Sequence, residues 1–327
     1  MSEDAFDLIG DVHGCGATLA VLLERLGYTR CDDGVYRHPS RRVIFLGDLI
    51  DRGPRVPLAL DIAKRMVDAG SALIVMGNHE YHALSYCSPS PTGGGWLRPH
   101  TPRSTRVIQE TLAQFEGRDA QWQSYLDWFM TLPLCLELPT LRVVHACWDE
   151  PLIRRFLETH PDGRIDRAFL NRTAESDSVE YRVLDRLTRG ANVVLPDGLQ
   201  IRSSDGFARR SFRANFWTPD PETYGDVVFQ PDHLPPELDA RPLSDRERCS
   251  LAYYAPTRRP LFIGHYWCEG IPALPAPNVA CLDYSAVKYG RLVAYRFDGE
   301  QRLDANRFVW LKVLSERDAE KKSREFH

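Results

Sequence analysis

Five short polar clusters hold the side chains of this chain that are best suited to bind metal ions. Each cluster directly follows a mostly apolar run: Asp11 and His13 after residues 6–9, Asp48 after 42–46, Asn78 after 72–76, His145 after 141–144 and His265 after 261–263. The set offers carboxylate, imidazole and amide ligands and no thiolate, which suits divalent manganese, iron or zinc better than a soft metal. The pattern predicts a metal centre.

The apolar runs predict the elements that position these clusters. Residues 6–9, 42–46 and 72–76 lack polar alternation, as is typical of strands that are covered on both faces. Helical spacing over residues 15–26, and a second helix opened by Pro54 or Pro57, indicate that helices separate the strands. The fold class is therefore α/β. Ligands of open α/β sheets bind at the carboxyl ends of the strands, where all five clusters lie.

Taken singly, each cluster is weak evidence. A Gly-Asp pair after a strand indicates a turn about two times in three, and a lone histidine such as His145 is more often a hydrogen-bonded core residue than a ligand. Five strand ends that each carry a metal-competent side chain are poorly explained by coincidence. The combination favours a single site built from all five.

The same residues resemble a known family. GDVHG (10–14), GDLIDRG (47–53), GNHE (77–80), His145 and Gly264-His265 are similar to the signature set of the phosphoprotein-phosphatase branch of the calcineurin-like metallophosphoesterases. That branch includes serine/threonine protein phosphatases and bacterial symmetrical diadenosine tetraphosphatases. The resemblance is good over residues 6–147, moderate over 260–298 and loose over 150–257.

The resemblance implies a β-sandwich of two mixed sheets flanked by helices, with metals at the carboxyl ends of the strands. It implies one domain over residues 1–327 with a family-variable insertion at about 150–257. The stretch over residues 88–102 is rich in Pro, Gly and Ser and predicts a mobile loop at about 87–104. Within the insertion, the pattern predicts helices over 152–158 and 179–189, a hairpin over 193–213 and a Pro-rich run over 218–242.

The resemblance also implies two divalent metal ions, with manganese first and iron or zinc as alternatives. Asp48 would bridge them, and a hydroxide between the metals would attack phosphorus in line. The ligands of one metal would be Asp11, His13 and Asp48, and those of the other Asp48, Asn78, His145 and His265.

Three residues inside the most specific motifs resemble the family's catalytic side chains. His79 would donate a proton to the leaving oxygen, and Asp51 would orient its ring. Arg52 would bind phosphate oxygens through its planar fork. A surface salt bridge is the alternative reading of His79 and Arg52.

Four further residues are candidates for substrate contacts. The family tends to supply a second phosphate-binding arginine from its middle region, where Arg209 and Arg213 are available, although a strand with outward-facing arginines is an equal alternative. Trp96 could stack on a nucleobase, and Arg98 could touch a polyphosphate. The alternative is a mobile loop with one anchored tryptophan.

The sequence leaves the substrate open. Phosphoserine or phosphothreonine proteins, dinucleoside polyphosphates (free or as RNA caps) and small phosphomonoesters all fit the motifs. A non-catalytic phosphate-binding module would be expected to have lost ligands, and none is substituted. A net charge of -4 gives no electrostatic argument for nucleic acid or membrane binding. Scattered cysteines, no secretory signal and short apolar runs predict a cytoplasmic protein.

Overall fold

The computed structural model describes residues 5–202, 208–229, 234–287 and 290–323 of the 327-residue chain. Its strands are β1 (Phe6–Ile9), β2 (Thr29–Arg30), β3 (Tyr36–Arg37), β4 (Arg42–Phe45), β5 (Ala72–Ile74), β6 (Cys135–Glu137), β7 (Arg142–Val144), β8 (Ala191–Val194), β9 (Ile201–Arg202), β10 (Ala208–Arg209), β11 (Ser211–Ala214), β12 (Leu261–Ile263), β13 (Val279–Cys281), β14 (Asp283–Tyr284), β15 (Arg291–Phe297) and β16 (Phe308–Lys312).

Its α-helices are α1 (Gly16–Arg25), α2 (Val56–Asp68), α3 (Asn78–Cys87), α4 (Pro102–Gln114), α5 (Asp119–Phe129), α6 (Glu150–Thr159), α7 (Arg167–Arg172), α8 (Val179–Arg189), α9 (Tyr224–Val227), α10 (Pro236–Asp239), α11 (Asp245–Ser250) and α12 (Glu316–Ser323). Across the described ranges, none of these helices has the length and apolar character needed to cross a membrane.

Two mixed sheets form the centre of the fold. The larger sheet has the order β14-β15-β1-β4-β5, and β16 also pairs with β15. Strands β1, β4 and β5 are parallel, whereas β15 is antiparallel to β1. The smaller sheet has the order β13-β12-β7-β6, with β6 antiparallel to its neighbour.

Apolar side chains from both sheets share one core. Phe6, Leu8 and Ile44 of the larger sheet belong to the same buried cluster as Val143 and Phe262 of the smaller sheet. The two sheets therefore pack face to face, and the predicted β-sandwich is confirmed.

The opposite face of the larger sheet is covered by helices. In β4, Val43 and Phe45 belong to the helix-side core, whereas Ile44 lies in the core between the sheets. Successive side chains of a strand point to opposite faces, so a strand that is covered on both sides must be apolar throughout. This explains the unbroken apolar runs, and Leu19 and Leu22 of α1 pack into the helix-side core as their spacing predicts.

The middle region has a small apolar core of its own, formed by Ala191, Val193, Leu195, Ile201, Phe212, Ala214, Tyr224, Val227, Leu234, Leu238 and Leu243. Strands β8 and β11 pair antiparallel, from Ala191 with Ala214 to Val194 with Ser211. The predicted hairpin over 193–213 therefore exists, with β9 and β10 paired inside it.

Three short helices, α9 to α11, lie in or just after the segment that was expected only to be Pro-rich. The sequence signals that start α9 and α11 are local capping motifs. Thr223 with Asp226, and Ser244 with Glu247, form capping boxes in which each side chain bonds the other's backbone N–H. The short β2–β3 pair and β16, which extends the larger sheet beside β15, were not predicted from the sequence.

Candidate functional site

The polar clusters converge because of how the strands pair. Ile9 is paired with Phe45 in the parallel β1–β4 register, so the segments after both strands emerge at the same edge. Likewise, β7 and β12 are parallel neighbours in the second sheet, and His145 and His265 follow them. The residues after four strands of two sheets thus meet at one end of the sandwich.

Asp48 lies at the centre of this cluster. Its Oδ2 is 3.7 Å from Nε2 of His13, 3.4 Å from Nε2 of His145 and 3.8 Å from Nε2 of His79. The ligand atoms of His13, Asp48 and His79 all lie within 4.8 Å of one another, as do those of Asp48, His145 and His265. One carboxylate therefore belongs to two groups that are compact enough to hold a metal ion.

Asn78 and Asp11 lie beside the second group. Oδ1 of Asn78 is 2.6 Å from Nδ1 of His265 and 3.2 Å from Nε2 of His145. The carboxylate of Asp11 accepts from the backbone N–H of His265 at 3.2 and 3.3 Å. All six residues that the sequence predicted as ligands therefore lie in one cluster.

Backbone carbonyls orient two of the imidazoles. Nδ1 of His13 lies 3.0 Å from the Ile50 carbonyl, and Nδ1 of His145 lies 2.6 Å from the Leu46 carbonyl. A carbonyl can only accept, so each Nδ1 carries the proton that it donates. Nε2 of each ring is then directed towards Asp48, as is typical of histidine ligands with a fixed outer partner.

The backbone is strained where the site is built. Seven non-glycine residues have positive φ in the described chain, and five of them belong to the site: His13 (43°), Asp48 (51°), Asp51 (70°), Arg52 (66°) and His265 (58°). Positive φ is sterically unfavourable for residues that have a Cβ atom, and residues that adopt it concentrate at functional sites.

Two motif glycines are required by close approach. A Cβ on Gly77 would lie 2.2 Å from Oδ1 of Asp48, and a Cβ on Gly264 would lie 2.1 Å from Oδ1 of Asp11. Both contacts are far inside van der Waals distance. The glycines leave room for the carboxylates, which explains why GNHE and Gly264-His265 begin with them.

The electrostatics of the cluster favour a bound cation. Burial raises the pKa of Asp48, but the imidazoles of His145, His79 and His13 outweigh it and hold that pKa well below its usual range. Burial and the neighbouring Asp283 raise the pKa of Asp11 well above its usual range. Three buried carboxylates therefore share one site, and a divalent cation would favour the ionised form of each. Sequence reasoning missed Asp283, which follows the β13 strand.

His79 is held by a buried hydrogen-bonded chain. Its Nδ1 lies 2.5 Å from Oδ2 of Asp51. Oγ1 of Thr111 donates to Oδ1 of Asp51 at 2.5 Å and accepts from the Asp51 N–H at 2.9 Å. The Asp51–His79 pairing agrees with the sequence expectation. Thr111, which lies on α4 and is distant in sequence, was not predicted.

Glu80 supports the loop that carries Asp48. Its carboxylate accepts from the backbone N–H groups of Asp48 and Leu49 at 2.8 Å and of Gly77 at 3.0 Å. A fully buried carboxylate with three such donors fixes the loop after β4 against the start of α3. The last residue of GNHE therefore acts on the backbone rather than at the centre of the cluster.

Two arginines lie over the cluster. Nη1 of Arg52 is 3.1 Å from Nε2 of His13, and its Nη2 is 3.2 Å from Nε2 of His79. Nη1 of Arg213 donates to the His265 carbonyl at 2.9 Å. Burial, and then the charge of Arg213, hold the pKa of His265 well below its usual range. Arg209 lies on β10, where it pairs with Ile201. Of the two arginines that the sequence offered, Arg213 is the one with a contact to a cluster residue described above.

The loop after α3 carries a stack of aromatic rings. Trp96 stacks on His100 with ring centroids 4.9 Å apart, and His100 stacks on Tyr86 at 3.7 Å. Trp96 is 47% exposed and forms the outer end of this stack. Arg98, on the same loop, is half-buried against α3, where its Nε donates to Oγ of Ser85 at 2.9 Å.

Part of the chain is similar in sequence to curated proteins of known name. The chain is 45% identical over 75 residues to the asymmetrical bis(5'-nucleosyl)-tetraphosphatase PrpE of Halalkalibacterium halodurans, covering 23% of this chain and 30% of that protein. It is 30% identical over 177 residues to the protein of the same name from Bacillus subtilis, covering 49% of this chain and 70% of that protein. These names specify asymmetrical enzymes, whereas the sequence resemblance included symmetrical ones.

A solved serine/threonine phosphatase from Saccharomyces cerevisiae aligns with a TM-score of 0.46 at 13% identity, covering 94% of this chain and 78% of that one. Residues 5–254 match the family described as calcineurin-like phosphoesterase. The match includes most of the middle region, residues 150–257, where the sequence motifs resemble the family only loosely. The chain belongs to the calcineurin-like phosphoesterase family.

Proposed function

We propose that this protein is a phosphoester hydrolase that depends on two divalent metal ions, with manganese as the first candidate. The observation that carries the proposal is the position of Asp48, whose carboxylate lies within 3.4 to 3.8 Å of three imidazole nitrogens. A carboxylate shared by two ligand groups is suited to bridge a metal pair. In the proposal, Asp11, His13 and Asp48 hold one ion, and Asp48, Asn78, His145 and His265 hold the other.

When bound, a pair of divalent cations supplies an activated water nucleophile and neutralises charge on the transferring phosphate. The chain supplies the remaining groups. Arg52 donates to nonbridging phosphate oxygens, and a bound phosphate would take over the N–H groups that now contact His13 and His79. Once a phosphate has displaced Arg52, Nε2 of the protonated His79 ring transfers its proton to the leaving oxygen, and the ring is left neutral while Asp51 holds it through Nδ1.

Two substrate classes follow from this site. Phosphomonoesters such as phosphoserine or phosphothreonine require only the metal centre, Arg52 and His79. Dinucleoside polyphosphates, free or as RNA caps, would use contacts beyond the first phosphate. The exposed face of Trp96, the half-buried Arg98 and the two curated relatives named as tetraphosphatases favour the second class. A binding module without activity is disfavoured because every proposed ligand and the proposed acid are present.

A side-by-side assay with manganese tests the proposal. Purified protein should hydrolyse p-nitrophenyl phosphate, and chelation by EDTA should abolish the activity until manganese is restored. Diadenosine tetraphosphate, a phosphothreonine peptide and a nucleoside monophosphate should then be ranked by kcat/KM. If the metal-loaded protein hydrolyses none of these four substrates, the proposed hydrolase activity is wrong.

Trp96→Ala tests the nucleobase contact. A base stacked on an aromatic ring contributes about 1–3 kcal/mol, so we expect the KM for diadenosine tetraphosphate to rise about tenfold. The KM for p-nitrophenyl phosphate should change little, because that substrate has no base to place on the loop. Steady-state kinetics on both substrates provide the measurement, and equal effects on the two would contradict the stacking role.

Thr111→Val tests the chain that holds His79. The substitution keeps the shape of the side chain and removes both hydrogen bonds to Asp51. We expect kcat to fall about tenfold, the effect of losing one hydrogen bond to a charged group, with KM almost unchanged. Thr111→Ser retains the hydroxyl and should restore most of the rate. If both variants lose only thermal stability and keep kcat, Thr111 does not position the acid.

A further inference from the structure

One face of α3 continues from the proposed metal centre towards Arg98. Asn78, Tyr81, His82 and Ser85 have the i, i+3, i+4, i+7 spacing that places side chains on one side of a helix. Arg98 is fixed at the far end of this face. Its Nε donates to Oγ of Ser85 at 2.9 Å, and its guanidinium lies 5.5 Å from the centroid of the Tyr81 ring.

A second arginine approaches the first. Arg189 is the last residue of α8, which packs against α3. The packing of α8 on α3 brings the end of α8 towards the face that holds Arg98. Consistent with this placement, burial, and then the charge of Arg189, lower the pKa of Arg98. Arg189 has one long ion pair, at 3.6 Å to Asp185, and Arg98 forms no salt bridge within the described part of the chain. These two cationic side chains favour the binding of an anion, because Arg98 has no carboxylate partner among the described residues.

His82 adds an independent sign of a missing ligand. The residue is 4% exposed, and neither ring nitrogen has a hydrogen-bond partner among the described residues. Burial, and then Arg98, lower its pKa to about 3, so the ring is neutral and keeps an unused N–H donor. Buried polar groups are nearly always satisfied by protein or by bound groups. The unpaired ring lies on α3 between the metal-site residues and the two arginines.

We propose that Arg98 and Arg189, together with the unpaired ring of His82, form a second anion subsite that takes a distal phosphate of a nucleotide polyphosphate chain. This inference rests on the proposed function, which places the reacting phosphate at the Asp48 cluster. Ser85 is seven residues after Asn78, which corresponds to about 10 Å along the helix. A polyphosphate chain can extend over such a distance, whereas a single phosphate cannot.

The position of the subsite also fits a nucleotide. Trp96 lies two residues before Arg98 on the same loop and ends the aromatic stack at the surface. A chain that runs from the metal centre past Arg98 therefore brings its nucleoside towards an exposed ring. Arginine forks bind phosphate oxygens in pairs, which suits a chain of phosphates better than a peptide carboxylate.

Inhibition by inorganic phosphates tests the subsite. The probes are tripolyphosphate and orthophosphate, added to full-length protein with manganese in excess and with p-nitrophenyl phosphate as the reporter. Arg98→Gln and Arg189→Gln should each raise the inhibition constant of tripolyphosphate about tenfold, the effect of losing a hydrogen bond to a charged group. The inhibition constant of orthophosphate should change much less, because one phosphate occupies only the metal centre.

Arg103→Gln is the matched control, since Arg103 is an exposed residue of α4 close in sequence to the loop and its replacement removes the same charge. It should leave both inhibition constants unchanged. Arg189→Gln provides an independent test of the subsite if Arg98→Gln misfolds. The side chain of Arg189 is 29% exposed, so its replacement disturbs the fold less. Equal effects on both inhibitors, or an Arg103→Gln effect as large as the others, would overturn the proposal.

Calorimetry separates this proposal from the proposed function. Tripolyphosphate binding to the manganese-loaded full-length protein can be titrated without any hydrolysis. If the protein binds tripolyphosphate, and both arginine variants bind it about tenfold more weakly, the subsite stands even when no ester is cleaved. If esters are cleaved but the arginine variants bind tripolyphosphate as tightly as the unaltered protein, the subsite is wrong and the proposed function is unaffected.

Discussion

Asp48→Asn should abolish binding of the metal pair and almost all hydrolysis. The carboxylate of Asp48 is the group that both compact ligand clusters share. A neutral amide cannot balance two dications, so we expect at most one ion to remain bound. The paired metals stabilise transition-state charge by several kcal/mol, and losing about 4 kcal/mol lowers kcat/KM about a thousandfold. Metal content by mass spectrometry and the rate on p-nitrophenyl phosphate measure the two effects separately.

Asp220→Asn is the control for this substitution. Asp220 also has positive φ, at 42°, so the same exchange is made in a similar backbone conformation outside the cluster. Asparagine tolerates this conformation well, so the control should fold and keep both metals. If Asp48→Asn retained two ions per chain and more than about a tenth of the rate, a bridging role worth several kcal/mol would be excluded.

His79→Asn should separate proton transfer from metal binding. General acid catalysis by a positioned side chain contributes about 10²–10⁴-fold, so we expect kcat to fall in this range on phenyl phosphate. The loss should be smaller on p-nitrophenyl phosphate, because its leaving group departs without a proton. Metal content should stay close to that of the unaltered protein. The ratio of the two rate losses is the measurement that identifies the acid.

The competing role for His79 is that of a metal ligand. Its Nε2 lies 3.8 Å from Oδ2 of Asp48, and with His13 it forms one of the two compact groups. A large metal loss in His79→Asn, with equal rate losses on both substrates, would assign it that role. Its Nδ1 bond to Asp51 fits either function, and the metal content of the variant distinguishes the two. His38→Asn, at a half-buried histidine beside Tyr28, controls for the loss of an imidazole elsewhere.

The middle region contributes directly to the site. Strand β11 pairs with β8 around a core that this region forms by itself, and the pairing places Arg213 against the His265 carbonyl. Arg189, the last residue of α8, adds a second positive charge from this region. We therefore propose that the variable segment at about 150–257 tunes which phosphate compounds are accepted, while the clusters after β1, β4 and β5 carry the chemistry.

The sequence alone determined the central strands and the types of residue that follow them. Unbroken apolar runs predicted doubly covered strands because side chains alternate across a sheet, and the polar residues after them predicted where ligands would gather. Asp48, Asn78 and His145 could be named in this way because each lies within a few residues of a strand end. Asp51 and His79 could be paired only through the family resemblance, since 28 residues separate them.

Only the tertiary structure decided which distant groups meet. Thr111 is 60 residues from Asp51, and no local pattern on α4 marks it as a partner. Arg189 and Arg98 come together because α8 packs on α3, a contact that neither helix's own periodicity specifies. Asp48 itself is central because parallel pairing of β1 with β4, and the packing of the second sheet, bring other strand ends around it. Local sequence patterns determine whether a segment forms a strand or a helix, whereas long-range packing determines which distant residues it contacts.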